Sequence, residues 1–165
     1  MMLVGRALIP VKVLKSFGSW KPGDTPLVED WKAKELWESG VVEIIDESEK
    51  IIRELEKVIN EEKNSEPITS IPEGLYERAE FYIYYLENYV KTKTDGDIEV
   101  LSAKMTKLSN LKRKYEYLKR LRFNKIINAI MFRPGSLEIL SRLSLEERRI
   151  YLQISQIRNE WLGEK

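Results

Sequence analysis

The stretch from Asn110 to Phe132, NLKRKYEYLKRLRFNKIINAIMF, decides how the rest of the chain reads. Its apolar residues Leu111, Tyr115, Leu118, Leu121, Ile126, Ile127 and Ile130 lie close to the three-and-four spacing of one helical face. Seven Lys or Arg lie between Lys112 and Lys125, with Glu116 the one acid among them. The predicted helix thus passes from a very basic half to an almost wholly apolar half. An end that apolar has to be buried, either in the chain's own core or against a second subunit.

Working outward, the stripe runs back through Leu108, Met105, Leu101 and Ile98, so one helix is expected over 98–132. At 1.5 Å per residue that is roughly 50 Å, long for a globular helix. Arg133-Pro134-Gly135 stops it. The segment Thr92 to Asp97, around Gly96, separates it from a preceding helix striped by Leu75, Ala79, Tyr82, Ile83, Leu86, Tyr89 and Val90. Ser70 and Glu73 have capping-box spacing, and Pro72 sits where a missing N–H costs nothing, so that helix is expected to open there. Tyr82, Tyr84, Tyr85 and Tyr89 cannot share one side of a helix. Some of them must meet a second surface, which favours a subunit interface. Downstream, Ser136 to Arg142 reads as a short helical turn. Ser144 and Glu147 form a second capping-box match, opening a last helix with Ile150, Tyr151, Ile154, Ile157 and Trp161 facing inward. Gly163 ends it.

Residues 1 to 45 differ in kind, holding three of the four Trp and half of the Pro and Gly. Leu3 to Leu14 predicts one or two short strands, Thr25 to Val28 another, and Val41 to Ile45 a further one. Lys21-Pro22-Gly23-Asp24 is a turn. Asp30 to Glu38 is a short helix ended by Gly40. So small a unit is marginal by itself and is expected to lean on a neighbour. Asp46 to Asn64 then reads as a helix with Ile51, Ile52, Leu55, Val58 and Ile59 on one face. Asp46 and Glu49 form a weaker capping pair. The polar, acidic segment Glu61 to Pro67 is the best candidate linker. The fold class is therefore mainly α, a bundle of long amphipathic helices over 47–165, with a small N-terminal α+β domain over 1–46.

Composition narrows the chemistry. The net charge is +1 with 33% charged residues, so no global polycation points to non-specific DNA binding. Cys and His are absent, which removes disulfides, Cys/His zinc sites, thiol nucleophiles and imidazole acid–base catalysis. No phosphate-loop motif occurs, and Gly23 belongs to none. No Asp/Glu cluster has the spacing of a known metal loop. Glu146 and Glu147 are explained by a helix N-terminus, where negative charge is favourable. Catalytic, cofactor and metal sites are all expected to be absent, and the chain is read as a non-enzyme. The N-terminal apolar run is too short for a secretory signal, and no run suits a membrane span. A cytoplasmic, nucleoid-associated intracellular protein is expected. Abundant Glu, Lys and Ile with two Gln fit a heat-adapted source.

Two soft-motif groups resemble the GINS family, replication-factor subunits of archaea and eukaryotes. Ile71-Pro72-Glu73-Gly74-Leu75-Tyr76, Leu121-Arg122-Phe123-Asn124-Lys125-Ile126-Ile127 and Leu143 to Tyr151 resemble its helical domain. Val11 to Leu14, Lys21-Pro22-Gly23-Asp24, Trp31 to Leu36 and Gly40 to Ile44 resemble its β-rich domain. The small domain comes first, as in the archaeal subunit class with that order, while the helical motifs read somewhat like the opposite class. The resemblance implies a tetramer, commonly two copies each of two subunit types. It implies a scaffold joining the MCM replicative helicase to a Cdc45- or RecJ-like protein, with no catalytic residues. On that reading Tyr82, Tyr85, Tyr89, Leu118, Leu121, Phe123, Ile126, Ile127 and Ile130 form the subunit interface. Trp20, Trp31, Val41 and Ile44 place the small domain.

The basic run supports an alternative, a nucleic-acid-binding helical protein. Lys112, Arg113, Lys119, Arg120 and Arg122 would meet phosphates while Tyr115, Tyr117 and Phe123 stack on bases. The plainer reading is a helix with a basic solvent side and aromatics in the core, its cations paired with acids on Glu73 to Glu87 or on a partner.

Overall fold

The computed structural model of the chain describes residues 7–93 and 96–164. The part of the Leu3–Leu14 strand reading before Ala7, and Thr94 and Asp95 of the inter-helix break, lie outside the described residues. The elements are β1 (Leu8–Val13), β2 (Leu27–Glu29), α1 (Asp30–Glu38), β3 (Val42–Ile44), α2 (Ser48–Lys63), α3 (Leu75–Thr92), α4 (Ile98–Phe132), α5 (Leu137–Ser141) and α6 (Leu145–Leu162). The fold is mainly α with a small antiparallel sheet at its N-terminal end.

The chain forms two compact units. One comprises Met1–Arg53 and Gly74–Arg113, the other Glu54–Glu73 and Lys114–Lys165. Both α2 and α4 contribute residues to each unit. The expected division at 46/47 separates element types, which is a different criterion from backbone proximity.

In the first unit, β1 is the central strand, with β2 and β3 antiparallel on either side. Period-two alternation puts Ile9, Val11 and Val13 on the buried face, joined by Val28, Val42 and Ile44. On the outer face Lys12 opposes Glu43, a favourable cross-strand pair. Pro10 has no N–H to give, but its carbonyl accepts from Ile45 N at 3.1 Å. The sheet and α1 lean on α3, as a unit so small requires. Trp37 packs edge-on to Tyr84 and against Tyr85, with ring centroids 6.0 and 5.1 Å apart. The Tyr82 hydroxyl donates to the Ile45 carbonyl at 2.9 Å, and the Tyr84 hydroxyl donates to Glu38. The second surface that the α3 tyrosines meet thus includes the chain's own α1 and the residues after β3. The α3 helix opens at Leu75, later than the Ser70–Glu73 spacing suggested, because Gly74 before it takes the left-handed conformation with φ of 76°, which no continuous right-handed helix passes through.

In the second unit, Ile126, Ala129 and Ile130 of α4 pack with Ile68, Ile139, Leu143 and Tyr151. The capping box predicted at Ser144 and Glu147 is formed: Glu147 N donates to Ser144 Oγ at 3.2 Å, and Ser144 N to Glu147 Oε1 at 2.9 Å. Only the first half of the α6 stripe faces inward as expected. Tyr151 is buried and Ile154 packs on the core, whereas Ile157 and Trp161 are 65% and 87% exposed. The helix runs past the end of the core that its stripe was expected to cover.

Candidate interaction surfaces

The residues that sequence patterns grouped together separate into buried and outward sets. Tyr82, Tyr85, Leu118, Ile126 and Ile130 are buried inside the chain, and Tyr89, Leu121 and Ile127 are half-buried. Phe123 alone of the expected interface set is exposed. The second half of α4 nevertheless has two apolar sides. Leu118, Ile126 and Ile130 face the core, while Phe123, Ile127 and Met131 recur at four-residue spacing on another side, with Phe123 and Met131 exposed. Phe132, 80% exposed, continues that apolar end. It borders a 550 Å³ cleft that also involves Pro67, Ile68, Asn128, Arg133 and Ile139.

Arg122 corrects the nucleic-acid reading. It is 0% exposed, four residues from both Leu118 and Ile126 and so on the buried stripe. Its Nε and Nη2 donate to the two Glu147 oxygens at 2.7 and 2.8 Å, a bidentate pair. Nη1 donates to Glu62 Oε1 at 3.1 Å and to the Thr69 carbonyl at 2.6 Å. Nη2 also donates to the Arg142 carbonyl at 3.3 Å. Glu62 is itself 0% exposed and accepts from Thr69 N at 2.9 Å. Lys125 donates to the carbonyls of Glu62, Ser65 and Pro67 at 2.5, 2.7 and 3.3 Å, and Arg142 to that of Ile68 at 3.1 Å. The segment read as an acidic linker, Glu61 to Pro67, is therefore the last turn of α2 and a pinned loop: Lys125 of α4 satisfies carbonyls within it, and Arg122 and Arg142 those of Thr69 and Ile68 just beyond. Such a cluster repays the desolvation of its charges only when the geometry is satisfied throughout. An arginine on a leucine–isoleucine stripe is the one sequence signal that marked it.

Of the other cations, Lys112, Arg113 and Lys119 are outward but engaged. Lys112 pairs with Glu87 at 2.7 Å, and Arg113 donates to Asn110 at 2.8 Å. Lys119 lies over the Tyr115 ring at 5.1 Å, and Lys63 over Tyr117 at 5.0 Å. Arg120 is exposed. The plainer reading of this run, cations paired with acids over Glu73 to Glu87, fits Lys112, but its aromatics are not all in the core, since Tyr117 and Phe123 are exposed.

The small-domain residues are likewise divided. Ile44 lies in the sheet's buried face and Val41 is half-buried. Trp31 is exposed and its indole donates to Glu29. Trp20 lies in the loop after β1, against Phe17. Contacts to α3 come from Lys34, Trp37, Glu38 and Ile45, with the Lys34 ammonium 4.5 Å from the Tyr84 ring centroid. Asp46, just past the sheet, is held by the Lys104 ammonium, which also lies 5.3 and 5.0 Å from the Tyr85 and Tyr89 ring centroids. Burial raises the Asp46 pKa, but bonds from Lys104 and Ser48 outweigh it and leave the carboxyl below its ordinary value. Burial, aided by nearby carboxylates, pushes the Tyr82 and Tyr85 phenols above theirs.

Among the described residues no grouping of three or more acidic side chains is arranged to hold a metal ion. Among the same residues no helix is long and apolar enough to cross a membrane. No protein-family model matches the chain, and no curated protein matches it either.

Proposed function

We propose that the chain is a non-enzymatic scaffold subunit of a GINS-type replication assembly, joined to its partner subunit through the outward apolar side of α4. The observation that carries this reading is the second apolar side itself. Leu118, Ile126 and Ile130 already supply the face that the chain's own core needs. Phe123, Ile127 and Met131 form a further stripe, with Phe123 and Met131 exposed. A lone aromatic on a surface needs no explanation, but a stripe repeated along a helix is what a partner helix covers. The family resemblance in Leu121 to Ile127 and Leu143 to Tyr151 supplies the kind of assembly. It is a tetramer with two copies each of this chain and a subunit of the opposite domain order, linking the MCM helicase to a Cdc45- or RecJ-like protein in the cytoplasm. Arg122, buried within the chain, counts against the basic helix as a nucleic-acid site.

The test is the solution mass of the chain alone and after co-expression with the opposite-order subunit from the same genome. A stable tetramer is expected, and Phe123→Glu with Met131→Glu should abolish it while the single chain stays folded. A double variant that still assembles would overturn the interface. A wild-type monomer that ignores that subunit would overturn the scaffold reading.

A further inference from the structure

The loop between β1 and β2 carries a feature that core packing and subunit assembly leave unexplained. From Leu14 to Gly23, LKSFGSWKPG, the chain has no acid. Two tight turns shape it. Phe17 N donates to the Trp20 carbonyl at 3.2 Å, and Trp20 N to the Phe17 carbonyl at 2.9 Å, closing a small antiparallel bridge. Gly18, with φ of 58°, takes the first central position of the two-residue turn between them. Directly opposed residues of such a pair put their side chains on the same face. The Phe17 and Trp20 rings accordingly lie side by side, with centroids 6.1 Å apart and planes tilted by 37°.

The second turn anchors the first. Asp24 N donates to the Lys21 carbonyl at 3.1 Å, and Lys21 N to Asp24 Oδ2 at 2.9 Å. Pro22 fixes the first central position, and Gly23, with φ of 95°, fits the second. Gly23 N donates to the Val13 carbonyl at 2.8 Å, and Val13 N to the Asp24 carbonyl at 2.9 Å. The rings are thus held out from the sheet by backbone geometry, and Phe17 remains 43% exposed. Three lysines belong to the same neighbourhood. Lys15 and Lys21 are exposed on the loop, and the Lys32 ammonium lies 5.3 Å from the Trp20 ring centroid. The nearest acid in sequence, Asp24, accepts from Lys21 N and leaves three cations to one carboxylate at this end of the sheet.

We propose that this hairpin is a binding site for single-stranded nucleic acid. A base stacks on the Phe17 and Trp20 rings, and Lys15, Lys21 and Lys32 meet the neighbouring phosphates. Every base offers a π-face, so aromatic rings among cations bind single strands with little sequence preference. A protein partner fits less well, because lysine is depleted at protein interfaces. A duplex fits less well because its base faces are already stacked. The site is separate from the basic run of α4, and it stands or falls independently of the assembly reading, since it is tested on the chain alone.

The experiment is fluorescence anisotropy of a labelled oligothymidylate titrated with the full chain over a range of salt. Binding is expected to weaken with salt at a log–log slope of about −2, as three phosphate contacts to a single strand give. Phe17→Ala should weaken binding roughly tenfold and Phe17→Trp should restore it. Lys15→Ala with Lys21→Ala should flatten the slope by more than one. Failure to bind at low salt would overturn the proposal, and so would equal competition by a duplex of the same length. It would fall equally if Lys119→Ala with Arg120→Ala removed the binding while Phe17→Ala did not. A Phe17→Trp variant as weak as Phe17→Ala, with an unchanged far-ultraviolet spectrum, would show that stacking plays no part.

Discussion

Arg122 shows most directly how one residue's placement changes its meaning. Its guanidinium faces Glu62 and Glu147 inside the second unit. Removing it takes the guanidinium from two buried carboxylates; Glu62 then keeps Lys125 at 3.6 Å and the Thr69 N–H, and Glu147 the Ser144 N–H. Arg122→Met should therefore destabilise the chain by about 3–5 kcal/mol, read as a lowered urea midpoint. A loss below about 1 kcal/mol would mean that the cluster contributes no more than a surface pair does. Asp46 supplies a pH signature in the first unit. Its folded-state pKa lies below the unfolded one, so the stability it confers is present above the unfolded pKa of about 3.9 and is lost as pH falls through the folded value. Asp46→Asn should reduce that acid-side loss in a urea–pH series. Tyr82 and Tyr85 act at the other end, because their raised folded pKa values keep them neutral when the unfolded chain ionises. Stability should then fall as pH rises above about 10, and Tyr85→Phe should shrink the fall.

At the scale of elements, α6 and α4 show what a periodic stripe establishes. Ser144 and Glu147 start α6 by a local bond pattern that sequence spacing specifies completely. Ser144→Ala should cost about 1 kcal/mol, the ordinary value of an N-cap. Glu147→Gln should cost more, because it also takes a charge from Arg122. Equal losses in urea titrations would mean that the pairing of Glu147 with Arg122 adds nothing beyond the cap. The stripe of α6 was legible as well, yet Ile157 and Trp161 lie outside the core. Periodicity shows which side of a helix is apolar; it does not show how far along that side the chain supplies a cover. In α4 the same limit runs the other way. Leu121, Phe123, Ile126 and Ile127 read as one apolar end, but they lie on different sides of the helix, and only those toward α5 and α6 are buried by this chain.

For the whole molecule, this changes which substitutions report on assembly. Ile126→Asp places a charge in the chain's own core and should unfold the second unit, so a lost complex in that variant says nothing about an interface. Phe123→Glu points outward and should leave the isolated chain's stability within about 0.5 kcal/mol while preventing the tetramer, as light scattering and a urea curve on the same sample would show. The sequence by itself determined the helices, the α6 cap, the order of the small sheet's strands and helix, and the absence of cysteine and histidine chemistry. These depend on residue identity and on contacts within a few positions. Tertiary structure alone decided the two compact units, the Arg122 cluster, the packing of Trp37 against α3, and the outward side of α4. Each of those joins residues tens of positions apart, and local periodicity carries no information about which distant surface comes to lie against a given face.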